Sequence, residues 1–314
     1  MKMPIIFSEY YDVSYRGIER FHPFDSTKYG KIFRYLKSEC GLEDFFSPKE
    51  VTEEELLSVH SKEYITSLSN PVNIAKIAEL SLLASMSTEF LQNQLLRSVR
   101  LATGGTILGA SLAKEYGWAI NLSGGYHHAK ANTGGGFCFY ADIPIALYKL
   151  FEKNPKLSVL IIDLDAHQGN GYASIFEDDE RIHILDVYNR EIYPNDTEAK
   201  RYIEFNYPVK SYMEDEEYIS LVEKAIPDAI AKSNPRLIVY IAGTDILKGD
   251  ELGCMGVSEE GIIKRDEIVF KNAIGKKIPI LMVLGGGYTK KSALVTAKSI
   301  GNFLKNLIGL SKIV

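Results

Sequence analysis

Ser158-Val159-Leu160-Ile161-Ile162-Asp163-Leu164-Asp165-Ala166-His167 begins as an apolar, largely β-branched run and turns abruptly into acids and a histidine. The apolar part, Ser158 to Ile162, is continuously hydrophobic rather than alternating, which is the pattern of a strand buried on both faces. Asp163, Asp165 and His167 then alternate where the strand gives way to its loop, so the three side chains begin on one face.

Three other segments repeat the pattern. Trp118 to Leu122 leads into Ser-Gly-Gly-Tyr-His-His, Leu237 to Ile241 into Ala-Gly-Thr-Asp, and Ile280 to Leu284 into Gly-Gly-Gly-Tyr. Helical patterns at Ser98 to Tyr116, Ile143 to Lys153, Glu216 to Lys232 and Glu259 to Ala273 alternate with them, which predicts an α/β fold with a parallel sheet covered by helices. Pro227 falls inside the third helix and is expected to kink or split it. Open parallel sheets gather ligands beyond the carboxyl ends of their strands, so four segments deliver chemistry to one edge.

Asp165 and His167 offer an oxygen and a nitrogen, and Asp245, after a separate strand, offers a second oxygen. Such a set suits a metal with one position left for water, which is a catalytic rather than a structural arrangement. His127 and His128 are adjacent in a chain with six histidines. Imidazole titrates in the range needed to take a proton from water and return one to a departing amine. Tyr288 follows three glycines, where a phenol can reach an oxyanion.

The composition narrows the class. In 314 residues, 46% hydrophobic and 25% charged, nothing resembles an interdomain linker, and the expectation is one domain over residues 1–314. Net charge is -5 and no Lys/Arg-rich block stands out, which argues against direct nucleic-acid binding. Cys40, Cys138 and Cys254 are odd in number and lack metal-ligand spacing, which fits thiols in a reducing compartment. No signal-peptide core or membrane-length apolar run is visible, so a cytoplasmic location is expected. The apolar run from Ser299 to Val314 is expected to be a packed final helix.

Gly-Tyr-His-His-Ala, Gly-Gly-Gly-Phe-Cys, Asp-Leu-Asp-Ala-His-Gln-Gly-Asn-Gly, Ala-Gly-Thr-Asp and Gly-Gly-Gly-Tyr occur here in the order of the histone deacetylase family. The resemblance spans nearly the whole chain. Within the family it is most similar to the class IV branch, through Gln168-Gly169-Asn170-Gly171, Asp186-Val187-Tyr188-Asn189-Arg190, Tyr193-Pro194 and Gly243-Thr244-Asp245-Ile246-Leu247. The resemblance implies an arginase/deacetylase-like three-layer αβα fold with a central, mostly parallel eight-stranded sheet.

It further implies zinc bound by Asp165, His167 and Asp245, with Fe2+ or Co2+ as alternatives suited to the same hard donor set. His127 and His128 match the tandem histidines, the second the general base and acid. Tyr288 matches the transition-state tyrosine, and Asp163 the carboxylate behind the first histidine. Gly136 and Phe137 match one wall of an acyl-lysine tunnel, with the Gly136 carbonyl receiving the substrate amide, and Tyr193 is the implied opposite wall. A monovalent cation, K+ or Na+, is implied near Asp163 and His167, with Asp186 nearby.

Asn170 stands where many deacetylases have an aspartate behind the second histidine. An amide orients the ring without adding charge, so His128 is expected to have a lower pKa than beside a carboxylate. The expected activity is removal of acyl groups from the lysine side chain of a peptide or protein, with long fatty acyl groups favoured over acetyl by similarity to class IV. A small-molecule amidohydrolase such as an acetylpolyamine deacetylase is the alternative. An arginase-type dinuclear manganese enzyme would need more carboxylate and histidine ligands, and a binding protein that has lost turnover would not need the full set of ligands, histidines and tyrosine. His60 and His183 read as structural, as does the loop at His22-Pro23. Oligomeric state is not legible.

Overall fold

The computed structural model describes residues 2–14, 24–306 and 309. Seven strands form one sheet in the order β1-β2-β7-β6-β3-β4-β5, and every pairing is parallel. They are β1 (Ile5–Ile6), β2 (Trp118–Asn121), β3 (Val159–Asp163), β4 (Ile182–Asn189), β5 (Phe205–Val209), β6 (Leu237–Ile241) and β7 (Ile280–Val283). The four strands expected from sequence appear within one residue of their expected limits.

Each face of the sheet carries its own core, as the period of two requires. On one face Ile120, Leu160, Ile162, Ile238, Tyr240 and Met282 meet residues of the helices Lys28–Cys40, Asp215–Ser233, Glu259–Gly275 and Ser292–Asn306. On the other, Ala119, Val159, Ile161, Val239, Leu281 and Val283 meet Arg97–Tyr116 and Asp142–Lys153. This is a three-layer αβα architecture. A third cluster, built by short helices between Val51 and Leu96, packs beside the carboxyl edge around Phe139 and Tyr140.

The sheet has seven strands among the described residues, not the expected eight, and it is wholly parallel. At one edge Phe46 makes a single parallel bridge to Ile6 and goes no further. Pro48, two residues on, has no N–H with which to extend a ladder. At the other edge β5 contains Pro208, whose missing donor suits an outermost strand.

Pro227 does not split its helix, which runs unbroken from Asp215 to Ser233. Proline removes one hydrogen bond, but Val222, Ala225, Ile226, Ala229 and Ile230 on either side of it are buried, and that packing holds the turns together. The helix Ser292–Asn306 buries Ile300, Phe303 and Leu304, in keeping with the expected packed terminal helix as far as it is described. His22 and Pro23 lie outside the described residues. No helix among the described residues is long and apolar enough to cross a membrane.

Candidate active site

Because β2, β7, β6 and β3 are parallel neighbours, the segments that follow them emerge side by side. Asp163 closes β3, paired to Ile241 on one side and Asp186 on the other. Asp165 and His167 come next on the chain, Asp245 follows β6, and Gly285 to Tyr288 follow β7. The turn from β2 to the tandem histidines is held by Asp142, whose carboxylate accepts from the N–H groups of Gly125 (3.0 Å) and Tyr126 (2.9 Å).

Asp165, His167 and Asp245 are buried and can present ligand atoms within 4.8 Å of one another. His167 Nδ1 lies 2.8 Å from Asp245 Oδ2 and 3.2 Å from Asp165 Oδ1. Backbone donors aim the carboxylates: Ala166 N–H to Asp245 Oδ1 (2.9 Å), His167 N–H to Asp165 Oδ1 (2.9 Å) and Gly286 N–H to Asp165 Oδ2 (2.7 Å). A Cβ at Gly243 would sit 2.1 Å from Asp165 Oδ2, and one at Gly286 2.2 Å from Asp245 Oδ2, so glycine is needed for the backbone to pass this close.

For the protein groups alone, burial and the neighbouring Asp165 push the Asp245 carboxyl up to about 7 against the pull of His167. Burial would lower His167, but the two carboxylates outweigh it and raise it to about 10. Two carboxylates and one imidazole packed this tightly, out of water, are the donor set a divalent cation neutralises. The three residues fit a metal with an open fourth position.

His127 and His128 lie side by side next to this cluster, ring centroids 4.1 Å apart and tilted by 48°. His127 Nδ1 donates to Asp163 Oδ2 at 2.8 Å, and Tyr172 Oη donates to the same oxygen at 2.9 Å. Burial would lower His127, but Asp163 and Asp165 carry it up to about 9. His128 Nδ1 lies 2.9 Å from Asn170 Oδ1, and its pKa is held well below the usual histidine value. Burial leads this shift, His127 and His167 add to it, and the Asn170 hydrogen bond opposes it, so the lowering is not Asn170's work.

Tyr288 is anchored through its N–H to Asp250 Oδ2 at 2.7 Å. Its ring stands 5.9 Å from Phe137, 6.1 Å from Phe24 and 6.1 Å from His167. Burial, and then Asp245 and Asp165, hold its phenol protonated far above the ordinary tyrosine range. Tyr193, 49% exposed, lies 4.9 Å from His128 ring to ring. Gly136 and Phe137 both take positive φ, 50° and 65°, and a Cβ at Gly136 would meet His128 Cδ2 at 2.5 Å. The structure therefore brings all the expected site residues to one place. Asp186 is there as well, behind Asp163, with Oδ2 accepting from Gly169 N–H at 2.9 Å.

One cavity joins His127, His128, Gly136, Phe137 and Tyr288 to an apolar extension lined by Leu80, Leu83, Met86, Leu91 and Leu95. These residues come from the short-helix cluster, and nothing in their sequence marked them as part of a site.

Other neighbours were also missed. Lys28 is buried, with Nζ donating to the carbonyls of Gly285 (2.7 Å) and Gly286 (3.3 Å), and burial lowers it to about 8 against the pull of Asp245 and Asp165. Arg265 is buried behind the segments that carry Asp165 and Asp245, and Asp196 lies beyond Asn170. Only Arg265 carried a signal: Ile262, Arg265, Asp266, Val269 and Phe270 share one helical face, so a charged pair interrupts an apolar stripe. His60 and His183, read as structural from sequence, do not line this cavity. His60 accepts from Ala141 N–H at 2.9 Å, and His183 Nδ1 lies 2.7 Å from Glu204 Oε2.

Residues 22–304 match the family described as the histone deacetylase domain. Among curated proteins, the chain is 45% identical over 303 residues to histone deacetylase 2 of Arabidopsis thaliana, covering 96% of this chain and 78% of that one. It is 29% identical over 259 residues to histone deacetylase 1 of Homo sapiens, covering 78% of this chain and 52% of that protein. Among solved structures, the HD domain of HDA15 superposes with a TM-score of 0.79 at 21% identity, over 98% of this chain and 89% of that one, a likeness of fold.

Proposed function

The chain belongs to the histone deacetylase family, and from that membership we propose that it is a zinc-dependent hydrolase removing acyl groups from the lysine side chain of a peptide or protein. The observation that carries the reading is the Asp165, His167 and Asp245 cluster facing His127, His128 and Tyr288. Zinc held by those three residues would supply Lewis-acid polarisation of the acyl carbonyl and of the attacking water, and Fe2+ or Co2+ would suit the same donors.

The protein groups do the rest. His128, oriented through Nδ1 by Asn170, takes the proton from water. The Tyr288 phenol donates a hydrogen bond to the oxyanion that develops at the acyl carbon. His127, kept cationic by Asp163, adds positive charge beside that oxyanion, and the departing amine receives its proton from the histidine pair. Phe137 and Tyr193 form the walls along the lysine stem, and the Gly136 carbonyl accepts from the substrate amide.

The apolar extension of the cavity supports a class IV-like preference for long fatty acyl groups over acetyl, since Leu80, Leu83, Met86, Leu91 and Leu95 offer an alkyl tail a dry surface. A monovalent cation, K+ or Na+, belongs to the same reading. Asp186 Oδ1 is buried without a hydrogen-bond partner beside Asp163, a position where a cation would satisfy it. A cytoplasmic location completes the reading.

Comparing turnover of myristoyl-lysine peptide, acetyl-lysine peptide and acetylpolyamine by one zinc-loaded preparation tests the proposal. Faster deacylation of the myristoyl peptide is expected. Turnover confined to the polyamine would overturn the protein substrate.

A further inference from the structure

An imidazole acts as a base through one nitrogen only, and the nitrogen left free is decided by the hydrogen bond made at the other. His128 Nδ1 faces Asn170 Oδ1 at 2.9 Å, an arrangement in which Nδ1 must carry the proton. An aspartate in Asn170's place would guarantee this, because both its oxygens accept. An asparagine does not. Its oxygen and nitrogen are nearly the same size, and a 180° turn of the amide would point N–H groups at His128 instead.

What fixes the amide lies on its far side. Asn170 Nδ2 donates to Asp196 Oδ2 at 3.1 Å, and Lys130 Nζ donates to the same oxygen at 2.7 Å. Asp196 Oδ1 accepts from Ala199 N–H at 3.1 Å. Burial opposes ionisation, but the Lys130, Ala199 and Asn170 bonds outweigh it and pull the carboxyl down to about 2. An ionised carboxylate can only accept, so turning the amide would set oxygen against oxygen. The main chain of Asp196 is clamped as well: its N–H donates to Gln168 Oε1 and its carbonyl accepts from Gln168 Nε2, both at 3.0 Å. Gln168 adjoins His167, so the carboxylate is placed relative to the metal-ligand segment itself.

We propose that Asp196 is the positioning residue for His128: by orienting the Asn170 amide it selects the Nδ1–H tautomer and leaves Nε2 as the basic nitrogen. The proposal rests on the reading of His128 as the proton acceptor. The carboxylate that many deacetylases place against the second histidine is here one amide further out and paired with Lys130. It sets the tautomer while lending little of its charge to the ring.

Asp196→Asn provides the test. The variant keeps an oxygen for Ala199 N–H and presents an amide to Asn170, which is then free to turn. The double variant Asn170→Asp/Asp196→Asn moves the carboxylate inward, where both its oxygens accept. Long-range 1H–15N spectra of zinc-loaded, 15N-histidine-labelled protein report the His128 tautomer directly, with His128→Ala assigning the signal.

The single variant is expected to shift His128 towards Nε2–H and to lose about 10- to 100-fold in kcat, with KM within about twofold. The double variant should regain the Nδ1–H signal and most of kcat. An unchanged tautomer in Asp196→Asn, or a kcat loss that the inward carboxylate does not reverse, overturns the proposal. If His128→Ala retains turnover, the assignment of the base fails, and the tautomer readout still decides the part played by Asp196.

Discussion

Arg265 and Asp266, adjacent on one helix, form a buried ion pair with Arg265 Nε donating to Asp266 Oδ1 at 2.8 Å. The same guanidinium donates through Nη1 to the carbonyl of Leu164 at 3.0 Å and of Gly243 at 2.6 Å. Leu164 precedes Asp165 and Gly243 lies two residues before Asp245, so one side chain ties together the backbones of the two segments that carry the carboxylates of the candidate metal site. Tyr240 and Ser299 donate to Asp266 and complete the network.

Arg265→Met should destabilise the protein by about 3–5 kcal/mol, because it leaves Asp266 charged and buried without its partner. Urea denaturation measures this. Adding Asp266→Asn should recover part of the loss, and a single variant as stable as the parent would mean the pair contributes nothing.

Tyr288→Phe should lower kcat by about 10²–10³-fold and leave KM nearly unchanged, since a hydrogen bond to a developing oxyanion strengthens only as charge accumulates. Steady-state kinetics with a saturable acyl-lysine peptide provide the measurement. Near-normal turnover would remove Tyr288 from the mechanism.

Asp245→Asn should abolish tight zinc binding, read as metal per chain after dialysis. It removes one of two anionic donors from a three-residue site. Stripping zinc from the parent protein with a chelator should lower the unfolding temperature, because a metal that binds only the folded chain stabilises it by linkage. The Asp245→Asn protein should not respond to the chelator.

Leu83→Trp should fill the apolar extension and lower kcat/KM for the myristoyl peptide by more than about tenfold, with acetyl-lysine turnover kept within a few-fold. Equal losses on both peptides would place the acyl tail elsewhere.

His60 sets a stability dependence on pH that is separate from catalysis. Burial pushes its pKa down to about 4, against the backbone acceptors at Ala131 and Lys130, from about 6.5 in an unfolded chain. Above pH 6.5 the residue is neutral in both states and adds no slope. Between about 6.5 and 4 the unfolded chain binds the proton and the folded protein resists it, so stability falls with pH by about 3 kcal/mol in all. His60→Gln, which can still accept from Ala141 N–H, should flatten this part of the curve in denaturation followed from pH 7 to 4.

The sequence by itself determined the parallel αβα layering and the edge at which the chemistry gathers. Local signals suffice for this: strands such as Ser158 to Ile162 are continuously apolar, and the groups that follow them, Asp165, His167, Asp245, His127, His128 and Tyr288, must emerge where those strands end. The strand count among the described residues was less legible, because whether the bridge at Phe46 grows into a ladder depends on a partner edge far away in the chain.

Only the tertiary structure decided what stands behind and beside those groups. Lys28 meets the Gly285 carbonyl across 257 residues, Arg265 reaches Leu164 across 101, and Asp196 meets Asn170 across 26. The leucines of the apolar cavity reach the site from another cluster altogether. No periodicity or spacing encodes such meetings, since they depend on how loops and helices close over the sheet edge. A buried charge finds its partner in space, and its neighbours along the chain do not say which partner that is.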